Sequence, residues 1–227
     1  MRAYLTLPLV AALLSPARAE PTQTKEIFRW KGPPAGAARV ELRNVNGAIR
    51  LRTASGADVE VTATATFDRG ANPDALKVTR KGLTFQVEGE ADDVSVDLEV
   101  AVPRGLAADA TTVNGAIESA TIGPIALRTT NGSIRVRAEK GDLEVMTGNG
   151  RIDVTLHPSV GKARLRATNG PLKVTRGSGG ADVDASTVNG QIVVEGRPAG
   201  QSFRGHLGPA GGTRLQAGTV NGSIDLR

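Results

Sequence analysis

Thr129-Thr130-Asn131-Gly132-Ser133-Ile134-Arg135-Val136 contains the rule by which the rest of the chain is written. An Asn-Gly pair stands in the middle, a Thr two places before the Asn, and Ile and Val three and five places after it. The pair recurs at Asn46, Asn114, Asn131, Asn149, Asn169, Asn189 and Asn221, at intervals of 68, 17, 18, 20, 20 and 32 residues. Four consecutive intervals of 17–20 residues define a repeat. Thr112, Thr129, Thr147, Thr187 and Thr219 keep the place before the pair. Ile49, Ile117, Ile134, Ile152, Leu172, Ile192 and Ile224 keep the place three after it. Aliphatic residues also stand four and six places before, as at Val145 and Leu143.

Alternation of period two is the signature of strands with one buried face. The inward parity runs up to the Asn and shifts by one beyond it, as at a corner. On this reading the seven asparagines are structural corner residues that point inward and stack on one another. Amides stacked in this way can hydrogen-bond along the stack, and the Gly supplies a positive φ. Asn-Gly between alternating runs is also the strongest hairpin signal. A series of hairpins, however, has no reason to hold one signature at one parity, and 17–20 residues accommodate two short strands and two turns. The second turns are visible at Ile122-Gly123-Pro124, Glu139-Lys140-Gly141-Asp142 and 176–180. The expected fold is therefore all-β, a right-handed β-solenoid of two-strand coils with Asn-Gly corners. The outward residues four after each Asn fit stacked coils. Arg50, Glu118, Arg135, Asp153 and Lys173 alternate in sign before Val193 and Asp225 follow.

Residues 1–19 read as a signal peptide: Arg2, a short apolar run from Leu5 to Leu14, then Ala17-Arg18-Ala19. This predicts an exported protein, periplasmic or extracellular, with no transmembrane segment after cleavage. Removing the segment leaves 26 basic against 23 acidic side chains, a net charge of +3. That mild excess weakly favours anionic glycans or headgroups. The sequence has no cysteine, so neither disulfides nor a lipid-modified cysteine is available. Only 3% of residues are aromatic, so the core must be aliphatic, which suits pleated sheets.

Beyond the signal, residues 20–38 read as a lead-in segment, with Ile27, Phe28 and Trp30 as anchors. An N-terminal β section covers 39–107, with antiparallel strands over 57–102 that cap the stack. The solenoid repeats follow over 108–227, and 39–227 form one domain. Gly196 to Gly212 interrupt the last interval and read as a projecting insertion, a candidate binding loop carrying Arg197, Phe203, Arg204 and His206. The sequence stops inside a strand, which suggests self-association through an uncapped C-terminal coil.

The repeated Thr-x-Asn-Gly-x-Ile-x-Val, preceded by the alternating strand Val96 to Pro103 and an export signal, resembles the bacterial putative-adhesin family, an exported β-strand-repeat domain of unknown function. The resemblance covers 39–227 and implies an envelope-associated β-solenoid. It assigns no functional residue.

No motif of established chemistry is present. His157 and His206 lack the spacing of metal ligands, and no Gly-x-Ser-x-Gly elbow occurs. No catalytic residue, metal or cofactor is assigned. The reading is a non-enzymatic binding or scaffold module of the cell envelope, with an envelope glycan or protein as partner and no nucleic acid. The alternatives are a polysaccharide-cleaving β-helix enzyme using Asp153, Lys173 or Arg135, and a self-assembling structural protein.

Overall fold

A computed structural model describes residues 22–67, 71–89 and 93–227. The expected signal peptide lies outside the described residues. The N-terminal part contains β1 (Gln23–Gly32), β2 (Arg39–Arg43), β3 (Ile49–Thr53), β4 (Val59–Phe67), β5 (Lys77–Lys81), β6 (Thr84–Glu88) and β7 (Val94–Val102). The repeats follow as β8 (Ala107–Asn114), β9 (Ile117–Thr121), β10 (Ile125–Asn131), β11 (Ile134–Ala138), β12 (Gly141–Asn149), β13 (Ile152–Leu156), β14 (Val160–Asn169), β15 (Leu172–Arg176), β16 (Ala181–Asn189) and β17 (Ile192–Val194). Two further strands, β18 (Arg197–Pro198) and β19 (Ser202–Leu207), precede the last pair, β20 (Thr213–Asn221) and β21 (Ile224–Leu226).

These strands build two mixed, mostly parallel sheets. The order in the eleven-stranded sheet is β1-β4-β7-β3-β9-β11-β13-β15-β21-β17-β18. In the ten-stranded sheet it is β19-β16-β20-β14-β12-β10-β8-β2-β6-β5. Each regular repeat gives one strand to the ten-stranded sheet, turns at its Asn-Gly, and gives the next strand to the other. Equivalent positions pair in register, as Leu127 with Val145 and Ile134 with Ile152. The sequence alternation therefore becomes columns of aliphatic side chains, and the inner faces of both sheets share one apolar cluster. Burying each such Val, Ile or Leu is worth about 1.5–3 kcal/mol.

The N-terminal section is antiparallel where β4 pairs with β1 and β7, and where β5 pairs with β6. β2 and β3, by contrast, lie parallel to β8 and β9 as a further layer of the repeat. The segment expected to be a lead-in supplies β1, which pairs along β4 from Gln23 to Gly32 with one irregularity at Glu26/Phe28. Trp30 and Phe28 pack on Phe85 at centroid distances of 5.4 and 6.1 Å, and Arg80 covers Trp30 at 4.6 Å.

The chain does not stack in chain order at its end. The last coil lies inside the sheets: β20 pairs with β14 and β16, and β21 with β15 and β17. The expectation of an open C-terminal coil is thereby corrected. The outermost strands at that end are β18 and β19, which come from the insertion expected to project. Ser202–Leu207 alternates outward and inward, with Phe203 packed on the core and Leu207 buried. It forms an antiparallel ladder with β16.

Candidate ligand-binding face

The corner residues hold the stack together through three columns of hydrogen bonds. The asparagine side chains form a continuous ladder, each Nδ2 donating to the next Oδ1. The steps are Asn114 to Asn46, Asn131 to Asn114, Asn149 to Asn131, Asn169 to Asn149, Asn221 to Asn169 and Asn189 to Asn221, at 2.7–2.9 Å. The ladder runs along the outside of the corner: every member but half-buried Asn46 is exposed. The inward place belongs to the threonines instead. Thr129, Thr147, Thr219 and Thr187 are buried, and each hydroxyl donates to a glycine carbonyl one coil away, respectively Gly115, Gly132, Gly170 and Gly222. A hydroxyl satisfied by one carbonyl is tolerated in an apolar interior. An inward amide would leave further donors and acceptors unmet, whereas at the surface water completes them.

The third column joins six of the glycine N–H groups to the Asn carbonyl of the next coil, as Gly132 to Asn149 at 2.9 Å and Gly170 to Asn221 at 2.8 Å. These coils approach so closely that a Cβ on any of the seven glycines would overlap a backbone carbonyl of the adjacent layer. Gly47, Gly150 and Gly170 have φ of +121°, +150° and +147°. The reason shared by all seven is this close approach, not the positive φ expected from sequence.

On the outer face of the eleven-stranded sheet, Glu99, Arg50, Glu118, Arg135, Asp153, Lys173 and Asp225 follow one another in register. Their signs alternate throughout. Arg135 pairs with Glu118 at 3.6 Å, while Arg50 turns to Asp97 at 2.8 Å. Arg135, Asp153 and Lys173, named above for polysaccharide cleavage, are thus neighbours in a charge column. Among the described residues no cluster of three or more His, Asp or Glu side chains could hold a metal ion.

The outer face of the ten-stranded sheet differs. A depression of about 500 Å³ opens over Pro124 and Ala126, where Asp109, Asp142 and Glu144 stand beside Arg39, Lys162, Arg164 and Arg214; a second of about 470 Å³, with Arg166 and Asp184 at its wall, opens over Gly218, and Gln216 lines both. Small residues at these outward places form the floor. Lys162, Arg164 and Arg166 alternate with buried Ala163, Leu165 and Ala167 on β14, so all three cations face outward. Arg214 on β20 stands in register with Lys162. Like charges paired in register are unfavourable. Among the described residues none of the four makes an ion pair; Arg164 donates through Nε to Gln216 at 3.2 Å.

The nearest acids on β12 are Glu144, which stands in register with Arg164 but pairs with Arg128 at 3.0 Å, and Asp142, whose Oδ1 accepts from the Lys162 backbone N–H at 3.2 Å. Asp182 and Asp184 on β16 are the acids in register with Arg214 and Gln216. β19 engages both from the other side: Arg204 pairs with Asp184 at 2.7 Å, and His206 Nδ1 meets Asp182 at 2.7 Å. His206 Nε2 contacts the carbonyl of Pro209 at 2.8 Å. The hydrogen bond to Asp182, followed by that carbonyl, raises the His206 pKa above its ordinary value. Arg204 and His206 thus engage the two acids beside Arg214 and Gln216, while Asp109 and Glu144 pair with Arg39 and Arg128. Phe203 packs inward, and Arg197 is exposed on β18. Sequence reasoning missed Lys162, Arg164, Arg166 and Arg214, although three basic residues at strand period on one β14 face were a readable signal.

One solved structure shares the fold, and others are more distantly similar. A "putative cell adhesion protein" from Clostridium sporogenes has 11% identity and a TM-score of 0.51, over 90% of this chain and 99% of that one. A "putative adhesin" from Bacteroides fragilis has 12% identity and a TM-score of 0.35, over 91% and 96%. A "putative lipid binding protein" from Parabacteroides distasonis has 11% identity and a TM-score of 0.39, over 91% and 96%. The first is a structure of the kind the sequence resemblance anticipates. No family model matches the sequence, and no curated protein does.

Proposed function

We propose that this chain is an exported, non-enzymatic binding module of the cell envelope, built as a right-handed β-solenoid, and that it holds an anionic envelope polymer across the outer face of its ten-stranded sheet. The solenoid reading rests on the alternation of successive repeat strands between the two sheets. The export reading rests on the order of charge, apolar run and small residues in 1–19. The observation that carries the binding role is the group Lys162, Arg164, Arg166 and Arg214 beside a trough floored by small residues. The three β14 cations lie within four residue steps, roughly 13 Å at about 3.3 Å per residue. That distance suits several anionic groups along an extended chain better than one small anion. Long cationic side chains beside a shallow floor attract such a polymer from solution and release it as salt rises.

Heparin, as a general polyanion, tests the reading against neutral dextran. The folded chain is retained on immobilised heparin and eluted by salt, and it passes dextran freely. The double substitution Lys162→Glu and Arg214→Glu lowers the eluting salt concentration severalfold at unchanged Tm. Arg135→Glu with Arg137→Glu, an equal change of charge on the opposite sheet, lowers it far less. Equal elution of the first double variant and the unsubstituted chain overturns the assignment of this face.

A further inference from the structure

The position of β20 and β21 has a consequence independent of the ligand. The stack follows chain order through β14 and β15. The chain then skips one place, lays down β16 and β17 at the next level, and forms β18 and β19 outside them. Only afterwards does it return to fill the skipped place with 213–227. Among the described residues β16 pairs only with β19 and β20, and β17 only with β18 and β21. The end piece 181–207 therefore has its sheet continuity with the body entirely through the last coil.

The skipped place is a slot one strand wide in both sheets. What the slot recognises is the repeat itself. Asn221 bridges Asn169 and Asn189 at 2.7 and 2.8 Å, and Thr219 donates to the Gly170 carbonyl at 3.1 Å. The same positions of another copy present the same groups. Both connections to the end piece are glycine-rich: Gly177-Ser178-Gly179-Gly180 before it and Gly208-Pro209-Ala210-Gly211-Gly212 after it. Gly208, Gly211 and Gly212 hold positive φ of +79°, +80° and +115°. Arg176, with a side chain only 12% exposed, ties the region shut. It donates to the carbonyls of Gly179 and Leu207 and pairs with Glu195 at 2.9 Å.

We infer that 213–227 is an exchangeable strand pair, and that its second partner is another copy of this chain, into whose slot it inserts with 208–212 as the hinge. Exchange of an identical element is a low-cost route to a two-fold dimer. The reach is sufficient. With the β19 edges of two copies abutting, the path from β19 of one copy to the slot of the other crosses three strand spacings, roughly 14 Å. The six steps from Leu207 to Thr213 extend to roughly 20 Å.

The sequence has no cysteine, so single thiols report the exchange in the full chain. Lys173 and Asp225 are register partners across the slot. A tagged Lys173→Cys copy and a differently tagged Asp225→Cys copy are unfolded together, refolded at high concentration and oxidised. The expected product is a disulfide dimer carrying both tags, several times more abundant than from the control pair of Arg43→Cys with Asp225→Cys. Cysteine-free chains with the two tags, refolded together, yield dimers captured by either tag. A mixed disulfide no more abundant than the control, with cysteine-free chains monomeric at the same concentration, overturns the exchange. Both readouts are independent of polyanion binding.

Discussion

Gly150 and Asn149 are adjacent at one corner, and the structure assigns them very different weights. A Cβ at Gly150 would be driven into the Gly132 carbonyl, with its carbon at 2.6 Å and the Ser133 nitrogen at 3.2 Å. The layer cannot yield easily, because Gly132 N–H donates to Asn149 and Gly150 N–H to Asn169, both at 2.9 Å. Overpacking of this kind costs about 1–3 kcal/mol, and a side chain held at unfavourable φ adds about 1 kcal/mol or more. Gly150→Ala is therefore expected to lose about 3 kcal/mol. Asn149→Ala breaks two exposed amide bonds, to Asn131 and from Asn169. At the low end of about 0.5–1.5 kcal/mol for each net hydrogen bond, the loss is about 1 kcal/mol. For a chain of this size each kcal/mol moves Tm by about 2–4 °C. Thermal unfolding followed by circular dichroism should then show a fall of about 6–12 °C for Gly150→Ala and about 2–4 °C for Asn149→Ala. An Asn149→Ala loss equal to or above that of Gly150→Ala would refute the assignment of the stack's tight contact to the glycine column.

Thr147→Val keeps the shape of a buried side chain and removes its bond to the Gly132 carbonyl; a loss of about 1–2 kcal/mol is expected in urea unfolding, and no loss would count against the buried hydroxyl column. Trp30→Ala removes the ring between Phe85 and Arg80, and hydrogen exchange should then rise along β1 and its partner β4 while β10–β13 stay protected. His206 should titrate above the usual histidine value of about 6.5, as NMR of the ring would report. Because its folded pKa is raised, its stabilising contact is complete below the unfolded value and is lost as pH rises through the folded one. Exchange of the Phe203 and Gly205 amides, corrected for intrinsic rate, should quicken across that transition in the unsubstituted chain and show no such step in His206→Gln.

The repeat, the aliphatic columns and the parallel register were legible because each residue type recurs at a fixed offset from Asn-Gly. Parity failed at the corner itself. Counting by twos turns Asn149 inward with Thr147, but the backbone bends there, and the threonine alone is buried. The insertion was obscured by its glycines, although Phe203, Gly205 and Leu207 alternate with Arg204 and His206 as a strand does. The place of the last coil was the least legible, since the shared signature lets any coil sit beside any other. Only one charge marks it: Asp225 continues the alternating column after Lys173, where Val193 would end it. Lys162, Arg164 and Arg166 were readable on β14 alone, but their fourth neighbour depends on that reordering. Without β20 between β14 and β16, Arg214 is not a neighbour of Lys162.

That reordering brings Arg214 beside Lys162 and creates the exchangeable slot, and paired cysteines test it directly within one chain. Residues in register on adjacent strands fall within disulfide reach, about 4.4–6.8 Å between Cα atoms. Lys173→Cys with Asp225→Cys should close rapidly to an intramolecular disulfide under mild oxidation of the folded chain at low concentration. Lys173→Cys with Val193→Cys, separated by β21, should remain reduced. Rapid closure of the 173–193 pair, with 173–225 remaining open, would show coils stacked in chain order and contradict the account.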